Sequence, residues 1–189
     1  AGLAILHDLL FTADVLLTNM PRPESMRKAG LDWETLHTRY PRLIACNISG
    51  FGMDGPYAGQ RAYDLLTQAM SGTMSLTGAL DGEPYRFPAP MSDISAGLYA
   101  TIAILGALVG RHASGEGDFV DISLLEAQAS WLVNIAGNYF ATGKRPARQG
   151  NQHPNIVPYQ PFRARDKYFV ITVGTDAQFA ELCRILERE

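Results

Sequence analysis

Hydrophobic residues recur along the chain at spacings that predict helices and buried strands in alternation. The apolar residues of 3–11 lie at helical intervals. Apolar runs at 13–19, 43–49 and 119–122 have the length and composition of strands buried in a parallel sheet. A second helical pattern extends from 124 to about 141. This alternation predicts an α/β fold with an open, mostly parallel sheet and flanking helices.

The composition changes after this predicted helix. From Thr142 to Pro161 the chain is rich in Gly, Pro, Lys, Arg, Asn and Gln, which is typical of a linker between domains. A strand pattern at 167–174 and a helix after it then predict the start of a smaller α+β domain. The predicted division is a large domain over residues 1–142, a linker over 143–160 and the beginning of a small domain over 161–189.

A long stretch without a charged residue runs from Ile94 to Gly110 and predicts a helix that is buried on all sides. Its length is near the lower limit for a membrane span, but it lacks aromatic anchors at both ends, so we interpret it as a core helix with no membrane role. Asp93 precedes the run in the N-cap position. Capping alone would explain this residue. However, the helix dipole is expected to keep a desolvated carboxylate ionised there, as a nucleophile for an activated acyl group.

Charge and cysteine content exclude several classes of function. The formal net charge is −3 and no dense basic run is present, so the sequence predicts no binding of nucleic acid. Cys46 and Cys183 favour free thiols, although a disulfide stays open at this point. No Cys/His cluster has the spacing of metal ligands, and no metal site is predicted.

Three motifs then occur in a specific order along the chain. They are RAYDLLTQAMSG at 61–72, MSDISAG at 91–97 and DFVDISLLEA at 118–127. Together they resemble the core of the family III (CaiB/BaiF-type) coenzyme A transferases, which implies a Rossmann-like sheet and makes Asp93 the match of the family's nucleophile. The resemblance covers nearly the whole chain. Members are about twice as long, so we expect a chain truncated at both ends.

The same resemblance implies two sets of ligand-binding residues. The first set, expected to bind coenzyme A, follows the first strand and precedes the second motif: Asn19, Met20, Lys28 and Arg61. Met20 departs from the family's aromatic residue, and Lys28 is equally well explained as a solvated charge on a short helix. The second set, expected to contact substrate, includes the glycine-rich loop: Gly50, Phe51, Gly52, Tyr63, Asp64 and His153. His153 is also explained as an incidental loop residue, and Asp64 as a carboxylate that starts a helix.

Tyr63 separates two reactions of this fold. Related acyl-CoA racemases have a His at this position as one of two bases, whereas an ordinary Tyr with a pKa of about 10 is a poor base at neutral pH. Tyr63 therefore favours acyl transfer, although a core aromatic residue would fit the pattern as well. A racemase and a truncated fragment that only binds CoA or dimerises stay as alternatives.

The predicted activity is transfer of coenzyme A from an acyl-CoA to a carboxylic acid through an aspartyl anhydride and an aspartyl-CoA thioester on Asp93. Coenzyme A is then a substrate, with no tightly bound cofactor. The His153–Pro154 segment resembles members that handle dicarboxylic acids, which suggests succinyl-CoA as donor. The resemblance further implies an interlocked homodimer. The expected compartment is the cytoplasm, or the mitochondrial matrix in a eukaryote.

Overall fold

A parallel sheet organises the first part of the chain. In the computed structural model, which describes residues 2–188, this sheet has three strands in the order β1 (Val15–Thr18), β2 (Ile44–Ser49) and β3 (Phe119–Ser123). Thr18 lies opposite Asn47, and Asn47 lies opposite Asp121. The predicted α/β class with an open parallel sheet is confirmed.

Helices connect and flank these strands. Their bounds are α1 (Gly2–Leu10), α2 (Pro23–Ala29), α3 (Trp33–Arg39), α4 (Asp64–Met70), α5 (Thr73–Leu76), α6 (Met91–Ser114), α7 (Leu124–Ala129), α8 (Val133–Thr142) and α9 (Asp176–Ile185), with a 3-10 turn at Ser130–Leu132. Strands β4 (Tyr159–Arg163) and β5 (Tyr168–Thr172) pair antiparallel.

The strand β2 forms the centre of the core because it has a neighbour on each side. Ile44, Ala45 and Cys46 are all at most 2% exposed. One buried cluster packs Leu10, Met26, Leu31, Leu36, Tyr40 and Leu43 around Ala45. A second cluster joins Ala96 of α6 to Leu124 and Ala127 of α7, and it includes Ile48 and Ile122. The helix that carries Asp93 is therefore fixed to the sheet by small residues.

The prediction that the apolar helix is buried on all sides is wrong for the described residues. Ser92, Ser95, Ala96 and Ala100 face the core. Ile94, Leu98, Ile102, Leu105 and Val109, spaced three or four residues apart, are 48–75% exposed; we call them the outer stripe of α6. A run without charged residues gives no clear indication of which face meets the sheet, so composition could not reveal this asymmetry.

The length and composition of α6 would by themselves also allow it to cross a membrane, a property that it shares with core helices of water-soluble proteins. Its first turn carries Asp93 and its last turn carries Arg111 and His112. Arg111 donates to Asp14 Oδ1 at 2.8 Å, which ties that end of α6 to the residue before β1. The interpretation of α6 as a core helix stays a prediction.

The single helix predicted from 124 to 141 is interrupted. The chain passes from α7 through the 3-10 turn to Val133, whose φ of +32° is unusual for a β-branched residue and breaks the helical path. Periodicity could not indicate this break, because the apolar spacing continues through it.

The chain forms two compact units. One unit contains the residues up to Met74 together with Arg86–Val133, and the other contains Ser75–Tyr85 together with the chain from Asn134 onward. In the second unit, Arg148 donates to the carbonyl oxygens of Ser75, Ala79 and Gly82, at 3.2, 3.1 and 2.6 Å. The strand β4 begins at Tyr159, inside the predicted linker. The domain boundaries at 142 and 160 stay predictions.

Candidate functional site

A cleft of about 290 Å³ lies at the carboxyl ends of the three parallel strands. Because these ends meet at one edge of the sheet, the residues that follow each strand come together there. The lining residues are Asn19, Pro21, Ile48, Ser49, Gly50, Arg61, Ala62, Tyr63 and Leu124. Four of the predicted ligand-binding residues therefore share one cleft: Asn19, Gly50, Arg61 and Tyr63.

One wall of this cleft depends on Asn47, which sequence reasoning did not single out. Asn47 is fully buried in β2. Its Oδ1 accepts hydrogen bonds from Met20 N at 3.0 Å and from Thr18 Oγ1 at 2.8 Å, and its Nδ2 donates to Met20 O at 3.2 Å. Asn19 Nδ2 donates to Ile48 O at 2.9 Å. Asn47 thus fixes the turn after β1; its only signal was an amide within an apolar strand.

The opposite wall is the glycine-rich loop that follows β2. A Cβ atom on Gly50 would lie 2.5 Å from Ala62 Cβ and 2.9 Å from Ala62 N, so only glycine allows this approach. Gly52 has a φ of +83°, and its N–H donates to Ser49 Oγ at 3.0 Å. The ring of Phe51 packs against Tyr57 with centroids 5.2 Å apart. Both glycines are therefore required by the shape of the loop.

Asp121 holds the far end of this loop from the neighbouring strand β3. Its Oδ2 accepts from Met53 N at 2.7 Å. Desolvation raises the pKa of this carboxyl and the Met53 hydrogen bond opposes that shift, with a further small increase caused by Asp54. The loop is thus anchored to two strands of the sheet.

Arg61 and Tyr63 are exposed at the mouth of the cleft. Tyr63 is 79% exposed, so its interpretation as a core aromatic residue is wrong. Across residues 2–188 the recorded ion pairs join other residues and leave Arg61 without a carboxylate partner. A free cation and a phenol beside backbone carbonyls can bind anionic or polar parts of a ligand.

Asp93 lies in the first turn of α6, but it is not the N-cap. The N-cap position belongs to Pro90, and Asp93 is the third helical residue. Its side chain is exposed, and none of the hydrogen bonds recorded for residues 2–188 involves its carboxyl group. Partial desolvation raises the pKa of Asp93, and the negative charge of Asp64 raises it further.

Asp64 contrasts with Asp93 in its surroundings. It begins α4, as predicted, and it is 8% exposed. Its Oδ1 accepts from Ser92 N at 3.0 Å and from Ser92 Oγ at 2.9 Å, while Oδ2 accepts from Gln68 Nε2 at 2.7 Å. Since Tyr63 precedes Asp64 and Asp93 follows Ser92, this contact links the segment that carries the nucleophile candidate to the segment that carries the cleft residue Tyr63.

The remaining predicted residues lie elsewhere. Met20 is half-buried and packs against the first core cluster, while Lys28 is exposed in the last turn of α2 and does not line the cleft. His153 belongs to the second unit, where its Nδ1 accepts from Asn155 N and Ile156 N, both at 3.1 Å. Those bonds use the imidazole to shape its own loop. Within residues 2–188, no group of three or more His, Cys, Asp or Glu side chains could hold a metal ion.

Comparison with known proteins places the chain in a family. The model of CoA-transferase family III matches residues 1–189. The chain is 44% identical to a succinate–glutarate CoA-transferase of Agrobacterium fabrum over 98% of its own length and 46% of that protein. It is 41% identical to an acetyl-CoA:oxalate CoA-transferase of Acetobacter aceti over 97% of its own length and 47% of that protein.

A solved structure agrees with these sequence matches. The crystal structure of a CaiB/BaiF family protein from Brucella suis superimposes with a TM-score of 0.83 at 43% identity, and the match covers 98% of this chain and 49% of that one. The chain thus spans about half the length of the proteins that it matches. The family match extends over every motif and over the cleft described above, and the chain belongs to CoA-transferase family III.

Proposed function

We propose that the protein transfers coenzyme A between carboxylic acids and that Asp93 is its nucleophile. One observation carries the proposal: the carboxyl group of Asp93 is exposed and has no hydrogen-bond partner among the described residues, one residue from the contact that joins α6 to the edge of the cleft. Buried carboxylates normally accept hydrogen bonds from the protein, as Asp64 does. A free carboxylate at the positive end of a long helix suits covalent catalysis.

The proposed reaction has two symmetric halves. The carboxylate of Asp93 attacks the thioester carbonyl, coenzyme A leaves as its thiolate, and a mixed anhydride forms. The thiolate then attacks the aspartyl carbonyl, which releases the donor acid and leaves an aspartyl-CoA thioester. The acceptor carboxylate attacks this thioester to give a new anhydride and the free thiolate. Finally, the thiolate takes the acceptor acyl group and Asp93 is regenerated. Coenzyme A serves as a substrate throughout, and these steps need no resident cofactor.

The surroundings of Asp93 support the first step. A carboxylate whose pKa is raised is a stronger nucleophile once it is ionised, because its charge is less stabilised by its surroundings. Negative charge that develops on the thioester oxygen near the first turn of α6 would be stabilised by the helix dipole. The raised pKa thus acts on the attacking carboxylate, and the helix dipole acts on the thioester that is attacked.

We assign part of the coenzyme A site to the cleft. Its volume, about 290 Å³, suits a portion of that ligand and not the whole molecule. Arg61 would pair with a phosphate, Asn19 and Met20 would contact the ligand through the turn that Asn47 holds, and Lys28 would add a cation farther along α2. The loop Gly50–Gly52 with Tyr63 would face the acyl group, and a substrate contact by His153 stays an expectation from the family resemblance.

We further propose a dicarboxylic acid as acceptor and succinyl-CoA as donor. The relative from Agrobacterium fabrum is named for succinate and glutarate, and the relative from Acetobacter aceti for acetyl-CoA and oxalate, so both names include a dicarboxylic acid. The racemase alternative requires a second base at position 63, where an exposed Tyr stands.

We expect a homodimer that works in the cytoplasm or, in a eukaryote, in the mitochondrial matrix. The outer stripe of α6 supports the first part, because five large apolar side chains in a row on one helix are normally covered by protein. Sedimentation analysis of the wild type and of Ile102→Glu tests it. A dimer that weakens in the variant is expected, and a wild-type monomer would contradict it.

The transfer reaction itself is tested by product analysis. The purified protein is mixed with succinyl-CoA and glutarate in deuterated water, and the acyl-CoA products are identified by mass spectrometry. We expect the wild type to form glutaryl-CoA without deuterium at its α-carbon. Asp93→Asn should form no glutaryl-CoA. Asp8→Asn, which removes an exposed carboxylate on α1, is the matched control and should behave as the wild type. Deuterium exchange without transfer would instead indicate a racemase, and neither reaction with any acyl-CoA would contradict the proposal.

A further inference from the structure

The helices α4 and α6 meet through a buried group of polar side chains, which we call the α4–α6 polar cluster. Its members are Asp64, Thr67, Gln68 and Ser92, and each of them is at most 8% exposed. A buried carboxylate is costly unless its oxygens accept hydrogen bonds. The hydrogen bonds to Asp64 therefore show which part of the molecule its buried negative charge stabilises.

The first oxygen of Asp64 caps α6 from outside that helix. The first N–H groups of a helix have no acceptor within it, and the N-cap residue Pro90 offers no side-chain acceptor. Asp64 Oδ1 accepts from Ser92 N at 3.0 Å and from Ser92 Oγ at 2.9 Å. A negative charge at a helix N-terminus is favourable. Asp64 thus supplies from α4 the cap that α6 lacks.

The rest of the cluster fixes this cap in place. Thr67 Oγ1 donates to Ser92 Oγ at 2.7 Å, so that α4 contacts Ser92 at two points. Gln68 Nε2 donates to the second oxygen of Asp64 at 2.7 Å. Gln68 Oε1 also accepts from Phe87 N at 2.8 Å, in the segment that leads into α6. Both oxygens of Asp64 are therefore used within the protein.

We propose, on the basis of the proposed function, that Asp64 is a positioning residue that acts through Ser92 to fix the first turn of α6 and thereby the direction of the Asp93 carboxylate toward the thioester. Asp93 follows Ser92 directly, so a rotation of this turn would carry the nucleophile with it. The role differs from the substrate contact that the family resemblance implies for Asp64, because Asp64 is buried and both of its oxygens already accept hydrogen bonds within the protein.

The two roles predict different kinetics. A misplaced nucleophile lowers the rate of bond formation and leaves donor binding unchanged, whereas a lost substrate contact raises the donor concentration for half-maximal rate. The readout is the rate at which the protein gains the mass of an acyl or CoA adduct after mixing with succinyl-CoA, measured by rapid quenching and intact-protein mass spectrometry over a range of donor concentrations.

Three variants and one control apply this test. Asp64→Asn keeps a neutral acceptor, Ser92→Ala removes the hydroxyl group, and Thr67→Val removes the bond to Ser92 with little change of shape. Thr101→Ala removes an exposed hydroxyl group on α6 that bonds only to Gly97 O of its own helix, at 2.8 Å. We expect Asp64→Asn to slow adduct formation at saturating donor about 100-fold, with smaller losses in Ser92→Ala and Thr67→Val and none in Thr101→Ala. The half-saturating concentration should stay within about twofold.

The outcomes separate this inference from the function on which it rests. No adduct on the wild type would overturn the proposed function and the positioning role together. A wild-type adduct, with unchanged maximal rates in Asp64→Asn and Ser92→Ala, would overturn the positioning role alone. A raised half-saturating concentration with an unchanged maximal rate would assign Asp64 to substrate binding instead. If Asp64→Asn does not fold, Ser92→Ala and Thr67→Val decide by the same measurement.

Discussion

Two carboxylates of the same unit, Asp64 and Asp93, have opposite surroundings. Asp64 is buried and uses both oxygens in hydrogen bonds to α4 and α6. Asp93 is exposed and its carboxyl group has no hydrogen-bond partner among the described residues. They are nonetheless close enough for the charge of one to raise the pKa of the other. The same chemical group is thus suited to structure at one position and to reaction at the other.

This difference follows from where each residue stands on its helix. Asp64 begins α4 on the face that packs against α6, and Asp93 lies in the first turn of α6 on a face that points away from the core. The buried polar residue Ser92 is the link between them, because it bonds to Asp64 and precedes Asp93. Substitutions at Asp93, at Asp64 and at the cleft test this difference.

The largest effect is expected at Asp93. Asp93→Asn should reduce CoA transfer by at least about 1,000-fold, since the amide cannot form the covalent intermediate. Turnover of succinyl-CoA with glutarate is the measurement, with Asp8→Asn as the control. Retention of most of the activity in Asp93→Asn would remove the distinction between the two carboxylates.

The free energy of unfolding should respond in the reverse order, with the larger loss at Asp64. Asp64→Ala leaves the N–H and hydroxyl groups of Ser92 without their buried acceptor, and we expect it to lower the free energy of unfolding by about 2–4 kcal/mol. Asp93→Ala removes an exposed, unpaired carboxylate and should change it by less than about 0.5 kcal/mol. Urea unfolding of both variants at neutral pH measures the difference. Equal losses would contradict the assignment of Asp64 as the structural member.

A substitution at the far side of the cleft separates ligand binding from chemistry. Asn47→Leu removes the hydrogen bonds that hold the turn at Met20. The affinity for coenzyme A should therefore fall about tenfold, which is a loss of about 1.4 kcal/mol of binding free energy. The rate of adduct formation at saturating donor should be preserved, because within residues 2–188 the side chain of Asn47 bonds to Thr18, Met20 and Met53 and not to α4 or α6. Calorimetric titration with coenzyme A and the adduct assay together test this. A preserved affinity with a lost rate would contradict it.

The smallest expected effect is a shift with pH. Asp93 must be ionised to attack, and its pKa is raised, so activity should fall on acidification at a higher pH than for an ordinary Asp. Asp64→Asn removes the second cause of that shift, and the acid limit should move to lower pH, while desolvation remains. The measurement is the maximal rate of adduct formation against pH in both proteins. An acid limit that moves upward in Asp64→Asn would contradict the electrostatic coupling.

Much of the fold could be predicted because apolar runs and helical spacing report burial directly. The strands β1, β2 and β3 lie where the apolar runs predicted them. The direction of the faces of α6 could not be predicted, since both faces are apolar. The break at Val133 depends on one backbone angle that no spacing reveals.

Part of the candidate site could be predicted from the sequence motifs. Motif resemblance identified Asn19, Gly50, Arg61 and Tyr63, which the fold brings together because they follow the ends of adjacent strands. It could not indicate that Asp64 turns inward or that Asn47 supports the Met20 turn, since both depend on contacts across more than 25 residues. Lys28 and His153 do not line the cleft, since Lys28 lies on α2 and His153 belongs to the second unit.

The most direct test of the account is to locate the covalent intermediate at the level of single residues. The protein is mixed with succinyl-CoA, trapped with hydroxylamine, digested, and its peptides are sequenced by mass spectrometry. We expect a hydroxamate on Asp93 and an unmodified Asp64 in the same sample. A hydroxamate on Asp64, or an unmodified Asp93 while CoA transfer proceeds, would contradict it.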